Sequence, residues 1–286
     1  MMTCGSNSLP LFEACRSSSL VFAAALSVRG SRFSAMSRVD DWAALLARFA
    51  PAPRALIEPR GLARRTDLKF VLPLSSAAEL SSSLTDHYAV LRAGDVVVAT
   101  YRTLYFDTAR LDFYHAHRRG RRLRHKVRIR HYPDRQVSFL EVKTRINEMQ
   151  ASKARRKRPY GDSELGPDDI AFIQERTGDH EQLLPQIWTE FHRVTLLGFH
   201  TAERVTIDFD LRMEMGSRAE SLPNVAIVEV KQWPFSRTTP ILSALRSAGF
   251  RAGWSSKYCA GIAFTHSDVR RNRLLPGLRT LRAMAA

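Results

Sequence analysis

One segment of the sequence alternates basic residues with mainly apolar ones. Residues 121–132 read RRLRHKVRIRHY. Successive side chains of a strand point to opposite faces, so one face would carry five cations: Arg122, Arg124, Lys126, Arg128 and Arg130. Arg and Lys bind anionic oxygens, especially those of phosphate and carboxylate. The segment is therefore either a solvated outer face or one wall of an anion-binding site.

Acidic and basic residues also occupy alternate positions in other segments that are predicted to be strands. The charged positions of these segments, with one Thr among them, are Arg65, Asp67 and Lys69; Glu141, Lys143 and Arg145; Lys153 and Arg155; Arg193; Arg204, Thr206, Asp208 and Asp210; and Glu229 and Lys231. If these faces point inward, the crowded cations are tolerable only in a wet lumen that holds a polyanion. Carboxylates among them would neutralise charge locally or bind a divalent metal.

The composition agrees with an anionic partner. The chain has 286 residues with 44 Lys and Arg against 28 Asp and Glu, a formal net charge of +16. This excess points to nucleic acid, an anionic membrane surface or a phosphate-rich small molecule. No zinc-finger, RNP or helix-turn-helix pattern predicts sequence-specific nucleic-acid binding. No Walker loop or dinucleotide-binding motif is present, so a nucleotide would be held through its phosphates.

The periodicity predicts an α+β fold built on an antiparallel sheet or barrel. The predicted strands are 65–73, 96–107, 121–132, 137–145, 152–160, 187–197, 204–213, 225–232 and 258–265, and the predicted helices are 167–177 and 240–248. His115 and His117 could be metal ligands, but they lack matching Cys or carboxylate spacing and an exposed turn is the favoured interpretation. Cys259 is expected to be a buried thiol in the last predicted strand.

The ends of the chain differ in composition from its middle. Residues 1–35 lack periodicity and predict a disordered leader, with Met36 as an alternative start. An amphipathic helix and a Pro-rich linker are expected over 36–62, with Trp42, Leu45, Leu46 and Phe49 on one stripe. A basic tail, helical or loose, is expected over 269–286. Three well-separated cysteines favour a reducing, cytoplasmic compartment.

Eight motifs in order give the sequence a family resemblance. RTDLKF, TLYFDT, RLRHKVRIR, FLEVKTR, SKARR, RVTIDFD, IVEVKQ and SKYCAG resemble the motifs of the VTC domain, the polyphosphate polymerase domain of the triphosphate tunnel metalloenzymes. The resemblance spans about Ala63 to Phe264 and predicts a tunnel domain over 63–268. It implies a closed antiparallel β-tunnel, with helices packed outside, that binds triphosphate and polyphosphate together with Mn²⁺ or Mg²⁺.

The resemblance also assigns residues to the tunnel. It implies that phosphate is bound by Lys69, Arg128, Arg130, Lys143, Lys153, Arg193, Arg204 and Lys257, and that Glu229 holds the metal. Lys69, Arg128, Arg130, Lys143 and Glu229 would act in the catalytic step. The alternation adds Arg124, Lys126 and Arg155 to the phosphate-binding set.

The expected activity is transfer of the ATP γ-phosphate to a growing polyphosphate chain, with pyrophosphate as another acceptor. The alternatives are a tripolyphosphatase or nucleoside triphosphatase of the same fold, and a non-catalytic protein that binds polyphosphate or nucleic acid. The superfamily's first-strand pattern of two glutamates and a lysine appears here as Arg65, Asp67 and Lys69, which argues against a two-metal triphosphatase. VTC-type polymerases act in membrane complexes, so a membrane-protein partner not encoded here is possible.

Overall fold

The computed structural model describes residues 39–58, 65–146, 151–253 and 256–285. The helices are α1 (Val39–Leu46), α2 (Arg54–Ile57), α3 (Leu74–Ser82), α4 (Asp112–Arg119), α5 (Pro167–Thr177), α6 (Pro240–Ser247), α7 (Lys257–Thr265) and α8 (Leu275–Ala285), with 3-10 turns at Pro133–Arg135 and Asn272–Leu274. No helix among these residues is long and apolar enough to cross a membrane.

Ten strands form one sheet. They are β1 (Thr66–Pro73), β2 (Tyr88–Val90), β3 (Val98–Thr108), β4 (Arg124–Tyr132), β5 (Val137–Arg145), β6 (Ala151–Arg158), β7 (Leu183–Gly198), β8 (Glu203–Met215), β9 (Arg218–Leu222) and β10 (Val225–Gln232). The hydrogen-bonded order is β1-β10-β8-β7-β3-β4-β5-β6, with β2 on β7 and β9 on β8. All of these ladders are antiparallel. Within the described segments, no ladder joins β1 to β6, so hydrogen bonds do not close the sheet.

Helices cover the apolar face of the sheet. Val127, Ile129, Leu140 and Val142 from β4 and β5 are at most 1% exposed and pack in one cluster with Ile173 of α5. On the other side of the molecule, Trp42 of α1 stacks on Phe209 of β8 with ring centroids 5.1 Å apart. Because helices cover these apolar positions, the alternate positions, which carry the charges, point to the inside of the curved sheet.

A bulge in β8 changes which side chains point inward. Asp210 has a φ of 51°, and the β7–β8 register shifts between Glu190 and His192. Strict alternation from Asp208 would point Asp210 inward, but the extra residue puts Leu211 there instead. Leu211 then joins the apolar cluster at one end of the sheet's inner side. One strand therefore contributes charge to the middle of the inner side and apolar side chains to its end.

The segment predicted as a strand at 258–265 is instead helix α7, and that prediction was wrong. Ser256 caps the helix by accepting a hydrogen bond from the backbone N–H of Cys259. The helix packs inside the sheet, where Tyr258 stacks on Tyr105 with centroids 5.1 Å apart. Gly261 permits the close approach, since a Cβ there would lie 2.6 Å from Cδ1 of Ile187. The segment is apolar because it is buried on all sides, which periodicity cannot distinguish from a buried strand.

The other predicted elements are confirmed with small boundary changes, and the helix predicted over 167–177 has these bounds in α5. The turn expected at His115 and His117 is wrong, because both lie in α4. Helix α3 and the short strands β2 and β9 were not predicted. The stripe of α1 is buried as expected. The C-terminal segment forms α8, whose Leu278 and Leu281 are buried against the core around α7.

Candidate anion-binding site inside the sheet

The strand register places most of the predicted site residues on one face. Side chains of residues paired across antiparallel strands lie side by side. The pairs on the charged face include Lys69 with Glu229, Lys231 with Arg204, Arg193 with Asp208, Arg128 with Glu141, Lys126 with Lys143, and Lys143 with Lys153. Residues from seven of the strands therefore contribute to a single inner surface.

Glu141 on β5 is the most heavily paired carboxylate of this surface. It is 1% exposed, and its oxygens lie 2.6 Å from Arg128 Nη2, 2.5 Å from Lys153 Nζ and 3.8 Å from Arg130 Nη1. Burial alone would raise the pKa of Glu141, but the three cations outweigh it and hold the pKa well below its ordinary value. A single fixed negative charge thus orients three cations, leaving net positive charge for an anion.

Asp208 on β8 forms a second buried cluster. Its two oxygens accept hydrogen bonds of 2.5 and 2.7 Å from Nε and Nη2 of Arg193, and it also pairs with Lys257 at the start of α7. Burial would raise the pKa of Asp208, but Arg193 and Lys257 lower it to about 2. The carboxylate therefore links α7 to the sheet and brings together Arg193 and Lys257, two predicted phosphate-binding residues.

Glu229 on β10 lies between two lysines. It is paired with Lys231, and its Oε1 is 3.6 Å from Lys69 Nζ. Burial opposes ionisation, yet Lys231 and Lys69 hold the pKa of Glu229 well below its ordinary value. Burial lowers the pKa of Lys231 to about 8. Glu229 is therefore ionised at neutral pH, as a metal ligand must be.

Few groups that could bind a metal surround Glu229. The described part of the chain holds no cluster of three or more His, Cys, Asp or Glu side chains. Thr206 lies directly opposite Glu229 on β8, and its hydroxyl is buried without a hydrogen-bond partner. One carboxylate and one hydroxyl suit Mg²⁺ or Mn²⁺ bound largely through the phosphate oxygens of a substrate. The residues present fit such an ion, and not one enclosed by protein ligands alone.

Lys126 and Lys143 lie where the two ends of the sheet approach each other. Burial, together with the nearby charges of Lys69 and Lys143, lowers the pKa of Lys126 to about 7. Burial also lowers the pKa of Lys143, and Asp67 on β1 partly opposes this shift. β1 and β5 lie far apart in the hydrogen-bonded order, so Asp67 acts on Lys143 without a ladder between their strands.

Lys143 and Arg204 are predicted phosphate-binding cations that form no ion pair with a carboxylate of the described segments. Both are partly buried. Burial lowers the pKa of each side chain. A desolvated cation without a counter-charge is costly, so both sites would gain from an incoming anion. This is the arrangement expected of groups that bind substrate phosphates.

Aromatic residues that the charge pattern did not single out support the cations. Arg193 and Arg130 lie over the ring of Tyr101, at 4.8 and 5.3 Å from its centroid. Arg128 donates a 3.1 Å hydrogen bond to the Tyr105 hydroxyl. The alternation of Tyr101, Thr103 and Tyr105 in β3 was the available signal, since these residues share the inner face. They hold the guanidinium groups in place without neutralising them.

The remaining candidates are peripheral. Arg124 lies at the beginning of β4, where it donates to the Arg121 carbonyl. Arg155 is exposed and lies over Phe139, 5.0 Å from the ring centroid. His117 contacts the His125 carbonyl, and burial lowers its pKa to about 2. Cys259 is buried as predicted, and burial raises its pKa. Neither His117 nor Cys259 takes part in the inner surface.

Comparison with known proteins identifies the family. The fold is an antiparallel sheet with helices outside and cations inside, and the sequence matches the VTC domain over residues 64–164 and 167–266. The chain therefore belongs to the VTC domain family, as its motifs indicate. No match was found among curated proteins.

Solved structures with similar folds were also found. A protein from Hippeastrum, described as an adenylyl cyclase candidate with a dominant triphosphatase activity, shares 15% identity over 70% of this chain and 95% of its own, with a TM-score of 0.44. An adenylate cyclase candidate from Bacillus halodurans shares 11% identity over 68% and 94%, with a TM-score of 0.45. A Pyrococcus furiosus protein shares 13% identity over 65% and 91%, with a TM-score of 0.38.

Proposed function

We propose that this protein is a metal-dependent polyphosphate polymerase, which transfers the γ-phosphate of ATP to a polyphosphate chain inside a basic tunnel. The supporting observation is the inner surface, where buried Glu141 and Asp208 hold cations in fixed positions. Lys143 and Arg204 form no ion pair with a carboxylate of the described residues. Membership in the VTC family supports phosphate chemistry for this surface.

Closure of the sheet into a tunnel is part of this proposal. The charges of Asp67 and Lys69 on β1 act on Lys143 of β5, which supports closure between these two parts of the sheet. A substrate that bridges them would lie in a site surrounded by protein. Such a site suits an extended polyanion better than a compact one, because its cations are distributed over several neighbouring strands.

The nucleotide and the chain end occupy different parts of the inner surface in this proposal. Lys69, Arg128, Arg130 and Lys143 bind the triphosphate of ATP. The acceptor is bound by Lys153, Arg193, Arg204 and Lys257. Arg193 and Lys257 converge on Asp208, which keeps both donors directed at one phosphate. Lys153 pairs with Glu141 and so lies beside the arginines of the nucleotide part.

The transfer breaks the bond between the γ-phosphorus and the β–γ bridging oxygen. A terminal oxygen of the acceptor chain forms the new bond, and ADP leaves with the bridging oxygen. The acceptor oxygen is already anionic, so no general base is required. Positioning and charge neutralisation provide most of the rate in phosphoryl transfer. Arg128 and Arg130, fixed by Glu141, would stabilise the charge that develops on the equatorial oxygens.

Glu229, with the hydroxyl of Thr206 beside it, would hold the divalent ion. When bound, such an ion would supply Lewis-acid stabilisation of the phosphate charge. Lys69 and Lys231 keep Glu229 ionised for this purpose.

The direct test is incubation of the purified chain with ATP and Mn²⁺, followed by gel staining for an acid-labile polymer. We expect a polymer that lengthens with time and an equivalent release of ADP. Hydrolysis of tripolyphosphate without any polymer would contradict the proposal and assign the site to a phosphatase. Retention of polyphosphate without turnover of ATP would indicate a binding protein.

A further inference from the structure

A second group of cations lies outside the sheet, at the end where α7 enters. We call it the arginine patch. Its members are Arg118, Arg119, Arg121, Arg122, Arg270 and Arg273. Arg118 and Arg119 end α4, and Arg273 lies in the 3-10 turn before α8. The two segments touch, because Nη1 of Arg273 donates a 2.9 Å hydrogen bond to the carbonyl of Arg119.

The arginine patch is not neutralised by acidic residues. None of its side chains pairs with a carboxylate in the segments that the structure describes. Arginines elsewhere on the surface do form such pairs, for example Arg156 with Asp168 at 2.9 Å and Arg282 with Glu220 at 2.9 Å. Arg118 and Arg119 stabilise the C-terminal end of α4. That role does not extend to Arg121, Arg122 or Arg273, which lie outside the helix.

A cleft lies beside the arginine patch, between α7 and α8. It is lined by Gly253, Ser256, Ala260, Arg273, Leu274, Gly277 and Leu278. The hydroxyl of Ser256 accepts a 2.8 Å hydrogen bond from Nζ of Lys126, a cation of the inner surface. Arg273 is a member of the patch. One residue of the cleft therefore contacts the inner surface, and another belongs to the patch.

We propose that the arginine patch binds the polyphosphate chain where it leaves the tunnel, and that the chain passes through the cleft between α7 and α8. This inference rests on the proposed function, because it names the route of that polymer. Each phosphate unit of the chain carries negative charge. Uncompensated arginines beside a cleft that contacts the inner surface match a ligand that carries negative charge along its whole length.

The test compares two anions of the same chemistry and different length. Binding of tripolyphosphate and of polyphosphate of roughly 100 units is measured by titration calorimetry at several salt concentrations. The variant is R119Q/R121Q/R122Q, which removes three exposed charges and no side chain of the inner surface. The matched control is R48Q/R92Q, two exposed arginines outside the patch.

We expect the triple variant to bind the long chain about tenfold more weakly and to show a shallower salt dependence, by roughly 2 in the log–log slope for three lost charges. Tripolyphosphate binding should stay within twofold of the unaltered protein, and the control should change neither. Equal loss for both ligands, or no loss for the long chain, overturns the proposal. Loss of binding to single-stranded RNA, with polyphosphate unaffected, assigns the patch to nucleic acid instead.

A second variant tests the cleft itself. Gly277 of α8 lines the cleft, and a Cβ added there meets no atom within 4 Å. We therefore expect G277L to occupy part of the cleft, and G277A is its control. We expect G277L to reduce long-chain affinity about as much as the loss of the three arginines, with tripolyphosphate unchanged. Unaltered long-chain binding by G277L overturns the route through the cleft. The ATP assay is independent of these binding measurements. Failure to make polymer would contradict the proposed function, whereas the binding measurements alone test whether the arginine patch binds polyphosphate.

Discussion

Arg193 holds Asp208 through two parallel hydrogen bonds of 2.5 and 2.7 Å, from Nε and Nη2 to the two carboxylate oxygens. Asp208 is 2% exposed, and it also pairs with Lys257 of α7. The pair joins β7, β8 and α7 at one point. It fixes the guanidinium plane and leaves a cluster with more positive than negative charge, which an anionic ligand can complete.

The first prediction is that D208N destabilises the protein and that tripolyphosphate restores part of the loss. The substitution leaves Arg193 and Lys257 buried without a counter-charge, which costs about 3 kcal/mol or more. Thermal unfolding with and without tripolyphosphate measures both effects. The control is E190Q, because the Glu190–Arg102 pair is 3.9 Å apart and about half exposed, so its loss costs at most about 1 kcal/mol. A ligand-induced stabilisation no greater than that of the unaltered protein would contradict the reasoning.

The second prediction is that E229Q abolishes metal-dependent turnover and leaves the fold intact. The amide has nearly the same volume as the carboxylate but no charge for a cation. Lys69 and Lys231 lose their shared partner, so binding of tripolyphosphate without metal should become tighter. Rates with Mn²⁺ and Mg²⁺, together with metal-free titrations, measure the two effects. Full activity in the variant would disprove the assignment of Glu229 to the metal.

The third prediction concerns proton uptake. Burial lowers the pKa of Lys126 to about 7, so at pH 8 much of this lysine is neutral in the ligand-free protein. A bound phosphate favours the ammonium form and raises the pKa, so binding takes up protons at pH 8 and takes up few at pH 6. Calorimetry in buffers of different ionisation enthalpy measures the uptake. K126R stays charged and should reduce it, whereas uptake equal at both pH values would contradict the prediction.

Lys126 also affects how the free energy of unfolding changes with pH. Its pKa is lower in the folded protein than in the unfolded chain, so between pH 7 and about 10 the unfolded chain binds more protons. The contribution of Lys126 to the free energy of unfolding therefore increases as pH rises through this range. Lys231, whose pKa burial lowers to about 8, acts in the same direction. K126M should reduce the pH dependence of stability in this range.

The fourth prediction concerns the packing of α7. A Cβ at Gly261 would lie 2.6 Å from Cδ1 of Ile187 and 3.4 Å from Sδ of Met213. Ile187 can shift a little, so we expect G261A to cost about 1 kcal/mol and G261L to cost about 3 kcal/mol or more. Urea unfolding measures the costs, and G277A is the control because no atom lies within 4 Å of its added Cβ. Equal stability of G261L and G277A would show that α7 does not pack closely against β7.

The strands could be predicted from sequence because their local pattern and their burial agree. Residues 121–132 alternate in charge and apolarity, and in β4 the apolar positions Val127 and Ile129 are fully buried on the covered face. Helix α7 could not be predicted this way, since it is buried on all sides and shows no period. The bulge at Asp210 could not be predicted from the sequence pattern either, because it depends on how β8 pairs with β7.

The sequence predicted which residues belong to the candidate site better than it predicted which ion pairs they form. Alternation placed Arg128 and Glu141 among charged residues that share one face of each strand, and the family resemblance implied that these faces point inward. The structure pairs the two residues across β4 and β5. The importance of Glu141 as the shared partner of three cations depends on the register of β4, β5 and β6. No local signal in FLEVKTR distinguishes that carboxylate from a solvated one.

The bulge at Asp210 also decides where this strand can change in length. Because Asp210 is the extra residue of the β7–β8 pairing, deleting it would remove the bulge and leave Leu211 and Met213 pointing inward. Deleting a residue from the regular part of β8 would instead exchange the two faces of the strand on one side of the deletion, so that charged side chains would enter the apolar end around α7 or Asp208 would turn away from Arg193. Length variation among relatives should therefore be tolerated at Asp210 and in the connections between strands, where side-chain orientation does not depend on residue count.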